Sequence, residues 1–177
     1  MSIITVELLA KIKEQYRLNW LGTHGAIHWN RVFNNGIILA EQKGVNTRVV
    51  QLFSVFHDSR RKNEHWDRNH GRRGAELAKE LRKHCPLDDA EFGLLTIACQ
   101  MHTKALTHDN ITVQACFDSD RLDLGRVGTY PDPNRLCTPI AKEPDIIQRA
   151  YHRSINDNIL PDKPFGLSGA WVSACLV

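Results

Sequence analysis

Helical periodicity runs through most of this chain and constrains its fold more than any other feature. Apolar residues recur three or four positions apart along the first two thirds of the sequence, which is the pattern of helices with one buried face. Strict alternation of apolar and polar residues, the pattern of a half-buried strand, is hard to find anywhere. Helices are predicted over residues 3–16, 23–40, 45–56, 69–83, 88–104 and 109–117. The sequence therefore predicts an all-α fold.

The fifth predicted helix carries the clearest start signal. In P-L-D-D-A-E, Asp88 can cap the first amides of the helix while Glu91 lies three residues on, as in a capping box. Residues at helical spacing then lead to His102, so this histidine is expected to face inward. They are Leu94, Leu95, Ala98 and Met101.

The composition of the sequence changes after residue 120. The stretch G-R-V-G-T-Y-P-D-P-N-R-L-C-T-P is rich in glycine and proline, and it predicts an extended loop packed on the helices. Residues 127–138 either cover a functional site or simply pack against the bundle. A last helix is predicted over 143–155, with Pro144 tolerated in its first turn, followed by a loop-like tail. We expect a single domain over residues 1–177, a helical bundle with a loop-rich C-terminal appendage.

Composition places the chain among soluble globular proteins, with 42% hydrophobic and 24% charged residues. A net charge of +3 is too small to indicate nucleic-acid binding by itself. The cations do cluster, and a local cluster can attract phosphate where the average charge cannot. This cluster consists of Arg60, Arg61, Lys62, Arg72 and Arg73.

The cysteines and the N-terminus predict a cytoplasmic location. The five cysteines are scattered and never in C-x-x-C spacing, so they are expected to be buried thiols in a reducing compartment. They are Cys85, Cys99, Cys116, Cys137 and Cys175. The N-terminal stretch lacks the charge order of a signal peptide, and no segment approaches the ~18 consecutive apolar residues of a membrane-spanning helix. We expect no membrane association.

Histidines and aspartates with the chemistry of metal ligands follow one another along the helical region. His24 and His28 lie four residues apart, on one face of a predicted helix. His57 and Asp58 are adjacent at the end of an apolar run, where both can reach one centre. Further residues of these types are Asp67, His70, His102, Asp118, Asp120 and Asp123. Such nitrogen and oxygen donors suit Mn, Fe, Ni, Co or Zn, or Mg where oxygen predominates.

Each of these residues also has a plain structural interpretation. His102 could be a core histidine bonded to a carbonyl, and Asp120 could cap the next short helix. The ordered set, rather than any single residue, favours a metal site.

The order His28, His57-Asp58, Asp120 resembles the H…HD…D signature of the HD superfamily of metal-dependent phosphohydrolases. The local contexts H-W-N-R-V-F-N-N-G-I-I-L-A and S-D-R-L-D-L-G are similar to the family's segments around its first histidine and last aspartate. The resemblance covers an HD-like core of about residues 20–126, with 127–177 as an extension. It implies a bundle of helices around a central metal ion, with Asp120 rather than its neighbouring aspartates as the last ligand.

Some members of this superfamily carry two further histidines between the dyad and the last aspartate. His70 and His102 stand in the right order for those positions, which would give two metal ions with Asp58 able to bridge them. The alternative role of His70 is to bind substrate. His24 is expected to face substrate, or to orient either His28 or a phosphate.

The resemblance implies a hydrolase that uses metal-activated water to cleave a phosphate ester of a small phosphorylated or nucleotide-like molecule. Arg60 and Arg61 follow the dyad, where they could neutralise a bound phosphate, although R-R-K could also be a solvated helix end. Lys104 and Arg121 are further candidate substrate contacts. Arg121 could equally pair with a buried carboxylate.

Two carboxylates beyond the dyad are candidates for general acid or base. Glu64 and Asp67 lie on the segment that leads to His70, where either could accept a proton from the attacking water. Asp67 could instead cap the helix that begins near His70.

The residues around the dyad differ from the patterns of two subfamilies, which reduces the number of activities that the resemblance implies. Alarmone hydrolases resemble H-D-x-x-E-D at the dyad, whereas Arg61 and Lys62 stand in the acidic places here, which disfavours that activity. Arg60 replaces the glycine of the HD-GYP pattern H-D-x-G-K. The alternative function is a non-catalytic metal- or nucleotide-binding sensor or scaffold. Retention of all four signature ligands favours the enzyme.

Overall fold

Helices form all the regular secondary structure in the computed structural model, which describes residues 2–167. Within those residues there are seven α-helices and no strand. The α-helices are α1 (Val6–Gln15), α2 (Ala26–Leu39), α3 (Thr47–Phe56), α4 (His70–Glu80), α5 (Asp89–Met101), α6 (Ile111–Arg121) and α7 (Pro144–Asn156). Short 3-10 helices cover Arg82–His84, Leu124–Val127, Pro133–Arg135, Ile140–Lys142 and Pro164–Gly166. The predicted all-α fold is confirmed.

Local capping fixes where several helices begin. Asp88 accepts a hydrogen bond from the Glu91 amide at 2.8 Å, and Glu91 accepts one from the Asp88 amide at 2.9 Å, so the predicted capping box starts α5. Asn46 and Asn110 cap α3 and α6 through their side chains, each contributing about 1 kcal/mol. Pro144 occupies the first turn of α7, as predicted.

Helix α3 lies at the centre of the bundle. Every residue from Val49 to Phe56 is buried, because α3 packs against α2 on one side and against α5 and α6 on others. A helix that is apolar on all sides is stable only inside a protein. Its aromatic residues Phe53 and Phe56 are fully buried, and truncating either to alanine would destabilise the fold by about 3–5 kcal/mol. The end of α3 is therefore held in place by the surrounding helices. The predicted dyad, His57 and Asp58, follows it directly.

Two glycines bring α4 close to the ends of α3 and α5. A Cβ atom on Gly74 would lie 2.2 Å from the Phe56 carbonyl oxygen, and one on Gly71 would lie 2.2 Å from the Cys99 carbonyl oxygen. Neither distance is sterically allowed, so only glycine permits this approach. The approach places His70, the first residue of α4, against the bundle.

Residues after α6 are hydrogen-bonded to the bundle through a buried carboxylate. Asp118 accepts hydrogen bonds from the Cys137 amide at 2.9 Å and from the Thr138 amide and hydroxyl at 2.7 and 2.8 Å. Phe165 donates its amide to Asn30 at 2.7 Å and is buried. The predicted loop-like tail thus contains a short 3-10 turn, and its terminal apolar residues lie outside the described part of the chain.

Three details differ from the sequence predictions. Helix α6 continues to Arg121, four residues beyond its predicted end, so that Asp120 is helical. Met101 is 37% exposed rather than inward-facing, whereas His102 is buried as predicted. Among the cysteines, Cys137 is only half-buried.

The other cysteines of the described part follow the prediction. Cys85, Cys99 and Cys116 are buried free thiols, and burial raises the pKa of each. Cys175 lies outside the described residues. None of the helices within residues 2–167 is long and apolar enough to cross a bilayer.

Candidate metal centre

The four residues of the predicted signature meet at the centre of the bundle. His28 comes from α2, His57 ends α3, Asp58 follows it, and Asp120 lies on α6. His28 Nε2 lies 3.0 Å from His57 Nε2, 3.5 Å from Asp120 Oδ1 and 3.7 Å from Asp58 Oδ2. Ligand atoms about 2.0–2.2 Å from one ion are ~3.0–3.5 Å apart. This group, the first cluster, therefore has nearly the dimensions of a metal-binding site.

A second cluster adjoins the first through the other oxygen of Asp58. His70 Nε2 lies 3.1 Å from Asp58 Oδ1 and 3.0 Å from His102 Nε2. His102 is the residue that ends α5. His70 and His102, the two histidines outside the minimal signature, thus face each other beside Asp58. Asp58 Oδ2 points to the first cluster and Oδ1 to the second, so one carboxylate joins the two groups.

Three of the four histidines are oriented by the same backbone contact. The Nδ1 atoms of His57, His70 and His102 each donate to the carbonyl oxygen of the residue three positions earlier, at 3.0, 2.6 and 2.8 Å. A carbonyl oxygen can only accept, so each Nδ1 carries the proton. Each Nε2 is then left with a lone pair directed into its cluster.

His28 is held by a carboxylate instead of a carbonyl. Its Nδ1 donates to Asp123 Oδ2 at 2.7 Å. Arg31 in turn donates two hydrogen bonds to Asp123, at 2.6 and 3.1 Å, which keeps this buried carboxylate an acceptor. A carboxylate behind a histidine ligand fixes the ring and raises its basicity.

The protonation states suit a cation. Burial, the largest influence, lowers the pKa of His28, His57, His70 and His102, so the imidazoles are neutral at neutral pH. Burial would raise the pKa of Asp58, but the neighbouring His57, a hydrogen bond from His24, and the neighbouring His70 and Arg61 hold it well below its usual range. Burial would also raise the pKa of Asp120, yet Arg126, His57 and His28 bring it to about 2. Neutral imidazole and ionised carboxylate are the forms that bind metal.

His24 contacts both Asp58 and His28, and its ring lies edge-on to the His28 ring with centroids 6.1 Å apart. Its Nδ1 donates to Asp58 Oδ2 at 3.0 Å, and the side chain is almost fully buried. This hydrogen bond orients the carboxylate between the clusters, and the predicted role of His24 in orienting His28 stays a prediction. The other ring nitrogen, Nε2, lies 3.9 Å from Glu64 Oε2.

The two arginines after the dyad diverge. Arg61 Nη1 lies 3.3 Å from Asp58 Oδ1, and its Nη2 donates to the His65 carbonyl at 2.7 Å, so it borders the second cluster. Arg60 forms an ion pair with Glu80 and a hydrogen bond with Gln15. The structure thus brings Arg61 to the clusters and holds Arg60 on the outer side of the bundle.

The other two predicted substrate contacts also differ from each other. Lys104 is exposed and follows the ligand candidate His102 by two residues. Arg121 donates to the carbonyl oxygens of Ala105, Leu106 and Arg135. These bonds occupy both terminal nitrogens of Arg121, so it connects two loops, and it also lies 3.9 Å from the buried Asp118, as in the predicted alternative.

Of the two predicted acid–base residues, Glu64 is better placed. Its Oε2 is buried without a hydrogen-bond partner among the described residues and faces His24. Asp67 pairs with Arg73 and accepts from the Lys62 amide at 2.8 Å. Although burial would raise the pKa of Asp67, these two hydrogen bonds lower it. Asp67 does not cap α4, which was its alternative role. The N-cap residue of α4 is Asn69, and no side chain makes a capping hydrogen bond there.

Sequence reasoning missed the residues that support the first cluster from behind. Asp123 was set aside as a ligand, and neither Arg31 nor Arg126 was singled out. Arg126 Nη2 lies 3.5 Å from Asp120 Oδ1, and its buried Nε has no partner within residues 2–167. One signal was present, since Asp120 and Asp123 are three residues apart and therefore neighbours on a helical turn.

Two cavities open next to the clusters and share Thr103 and Lys104. One, of about 450 Å³, is lined by His102, Asp120 and residues of the 127–138 loop, among others. The other, of about 430 Å³, is lined by Arg61, His65, Trp66, Asp67, Arg68, His70, Thr103 and Lys104. The 127–138 loop thus does more than pack on the bundle, because it forms one wall of a cavity beside the ligand candidates.

Comparison with known proteins gives no match to a family model, a curated protein or a solved structure. The class of the protein is therefore defined by its own structure. Its residues 2–167 are all-helical in their regular structure and contain buried histidine and aspartate groups that could bind metal. This arrangement is consistent with an HD-type site.

Proposed function

We propose that this protein is a metal-dependent phosphohydrolase of the HD type, which cleaves a phosphate ester of a small phosphorylated or nucleotide-like substrate. The observation that carries the proposal is the orientation of four buried histidines. Every Nδ1 is held by an oxygen acceptor, and every Nε2 is turned towards another Nε2 beside a carboxylate oxygen of Asp58 or Asp120.

Structural histidines alone give a poor account of this orientation. Two neutral imidazoles whose Nε2 atoms lie 3.0 Å apart, each with its lone pair towards the other, repel each other, and the pattern occurs twice. A proton shared between them would require a charged imidazole, which burial disfavours. Unpaired buried polar atoms are costly. A divalent cation between the lone pairs removes both problems.

The donors fit two ions. His28, His57, Asp120 and Asp58 Oδ2 would hold one, and His70, His102 and Asp58 Oδ1 the other. Mixed imidazole and carboxylate donors suit Mn, Fe, Co, Ni or Zn, with Mg less suited because it prefers oxygen. We propose Asp58 as the bridging carboxylate.

Metal ions bound there would activate a water molecule and polarise a phosphoryl oxygen. The protein's own side chains account for the other requirements of phosphate-ester hydrolysis. Arg61 and Lys104 border the clusters and can neutralise the phosphate oxygens. His24 and Glu64 can pass a proton between Asp58 and the outside of the site, because the His24 ring lies between the two carboxylates, 3.0 Å from Asp58 and 3.9 Å from Glu64.

Elemental analysis of the wild-type protein beside Asp58→Ala tests the proposal. His152→Ala is the matched control, since His152 is an exposed histidine on α7. We expect about two transition-metal ions per chain in the wild type and the control, and none in Asp58→Ala with its helical circular dichroism retained.

A panel of phosphomonoesters and phosphodiesters with added Mn, Co, Ni or Mg completes the test. Turnover that follows metal content supports the phosphohydrolase. Stoichiometric metal without turnover of any ester would instead support the sensor or scaffold. Absence of metal from the wild type after loading would refute the metal site.

A further inference from the structure

We infer that the cavity of about 430 Å³ beside the second cluster, here called the Trp66 cavity, binds the planar aromatic part of a nucleotide-like phosphate ester by stacking on Trp66. This inference rests on the proposed function and goes further, because it assigns a substrate class and the residue that selects it. Trp66 is 85% exposed, although a tryptophan side chain gains more from burial than almost any other.

The Trp66 ring is available for stacking. Within residues 2–167 it has no aromatic partner, whereas Trp20 and Trp29 pack edge-on at 5.3 Å and Tyr16 contacts both. An exposed ring at the rim of a cavity presents a face on which a nucleobase can lie.

The Trp66 cavity leads to the metal-binding atoms. Two of its lining residues, His70 and Arg61, lie 3.1 and 3.3 Å from Asp58 Oδ1. A phosphate placed at the second cluster would therefore have room for its ester substituent in this cavity. The lining residues thus connect the reacting group with the exposed ring.

The charges of the Trp66 cavity favour an anion. Arg61, Arg68 and Lys104 supply three cations, of which Arg61 already pairs with Asp58, while Asp67 is its one carboxylate. That carboxylate is already paired with Arg73. The net positive lining would attract a phosphate, and the aromatic rim would add affinity for a planar group.

The neighbouring cavity fits the same ligand less well. Its exposed aromatic residue, Tyr130, is already packed on Tyr151 with ring centroids 4.9 Å apart. Its two carboxylates, Asp120 and Asp132, balance the charges of Lys104 and Arg135, and its Arg121 is committed to carbonyl oxygens. We therefore assign the aromatic group to Trp66 and use Tyr130 as the control.

Binding provides a test that does not depend on turnover. The probe is the phosphonate analogue of adenosine monophosphate, in which a carbon replaces the ester oxygen, titrated by calorimetry into the Mn-loaded protein. Trp66→Ala should weaken binding about tenfold, Trp66→Phe should retain most of it, and Tyr130→Ala should leave it unchanged. Because Trp66 is exposed, these substitutions do not threaten the fold.

Initial rates with adenosine monophosphate and ribose 5-phosphate, which differ by the base alone, give the second arm. Trp66→Ala should raise KM for the nucleotide about tenfold and leave KM for the sugar phosphate unchanged. Trp66-dependent binding without turnover of either ester would support the aromatic site while the hydrolase fails. Three results would each overturn the inference. They are turnover or binding that does not depend on Trp66, no binding of the phosphonate at all, and an effect confined to Tyr130→Ala.

Discussion

The first and second clusters contain the same kinds of ligand but are built differently. The first takes its ligands from α2, α3 and α6, and His28 is backed by the buried Asp123–Arg31 pair. The second takes both histidines from helix ends, His70 at the start of α4 and His102 at the end of α5, and both rings are held by the backbone. Each cluster borders a cavity, since Asp120 of the first lines the cavity of about 450 Å³ and His70 of the second lines the Trp66 cavity. We infer that the first cluster provides the tighter metal site and the second the contact with substrate.

Removing one histidine from each cluster gives the largest expected contrast. His28→Ala should eliminate the ion held by four donors and abolish turnover. His102→Ala should release the other ion alone and lower turnover by about 10²-fold, because one electrostatic contact with the phosphate is lost. Metal analysis and initial rates on the same preparations check this. Equal losses from both substitutions would contradict the difference between the clusters.

Asp123→Asn tests the carboxylate behind His28. The amide keeps the shape of the side chain but supplies a weaker acceptor, so metal affinity of the first cluster should fall about 10- to 100-fold while the second is unaffected. Competition with a chromophoric chelator measures both affinities. Glu143→Gln serves as the control and should change neither affinity. Glu143 is the exposed N-cap residue of α7, and its side chain makes no capping hydrogen bond.

Neighbouring arginines offer a matched pair on the substrate side. Arg61→Ala should lower kcat/KM about tenfold, because Arg61 borders Asp58 and the Trp66 cavity. Arg60→Ala should lower it less than twofold, because an exposed ion pair with Glu80 contributes little. Steady-state kinetics on one substrate decides between them. If Arg60→Ala has the larger effect, the substrate is bound on the outer side of the bundle.

The smallest expected effect is the pH dependence of the metal-free protein. Because burial lowers the pKa of the four cluster histidines in the folded state, the unfolded chain binds more protons below about pH 6.5. The free energy of unfolding should therefore be highest above that pH and fall as the pH decreases. The lowered pKa values of Asp58 and Asp120 add a further loss below about pH 4. Urea unfolding between pH 8 and pH 5 measures this, and constant stability across that range would contradict it.

The resemblance to the HD signature, carried by the order His28, His57-Asp58, Asp120, chose the residues that converge in the structure. His28, His57 and Asp120 each lie on or next to a strongly periodic helix, so their direction follows from local sequence. The capping box and the apolar run before His57 likewise depend on neighbours within a few positions. Such features are readable from sequence because the interactions that produce them are local.

Long-range contacts explain what the sequence did not reveal. Arg60 and Arg61 look equivalent in sequence, and their separation depends on Glu80, which lies 20 positions away from Arg60. Asp123 holds His28 across 95 positions. Arg121 is occupied by carbonyl oxygens 14 to 16 positions away. None of these partners is indicated by the residues adjacent in sequence.

The most direct test of the two-cluster account is anomalous X-ray diffraction from crystals of the Mn-loaded protein, recorded on both sides of the manganese edge. The account predicts two anomalous peaks on opposite sides of the Asp58 carboxylate, one among His28, His57 and Asp120 and the other against His70 and His102. A map with no peak at these residues, or with peaks only at other residues, would contradict it.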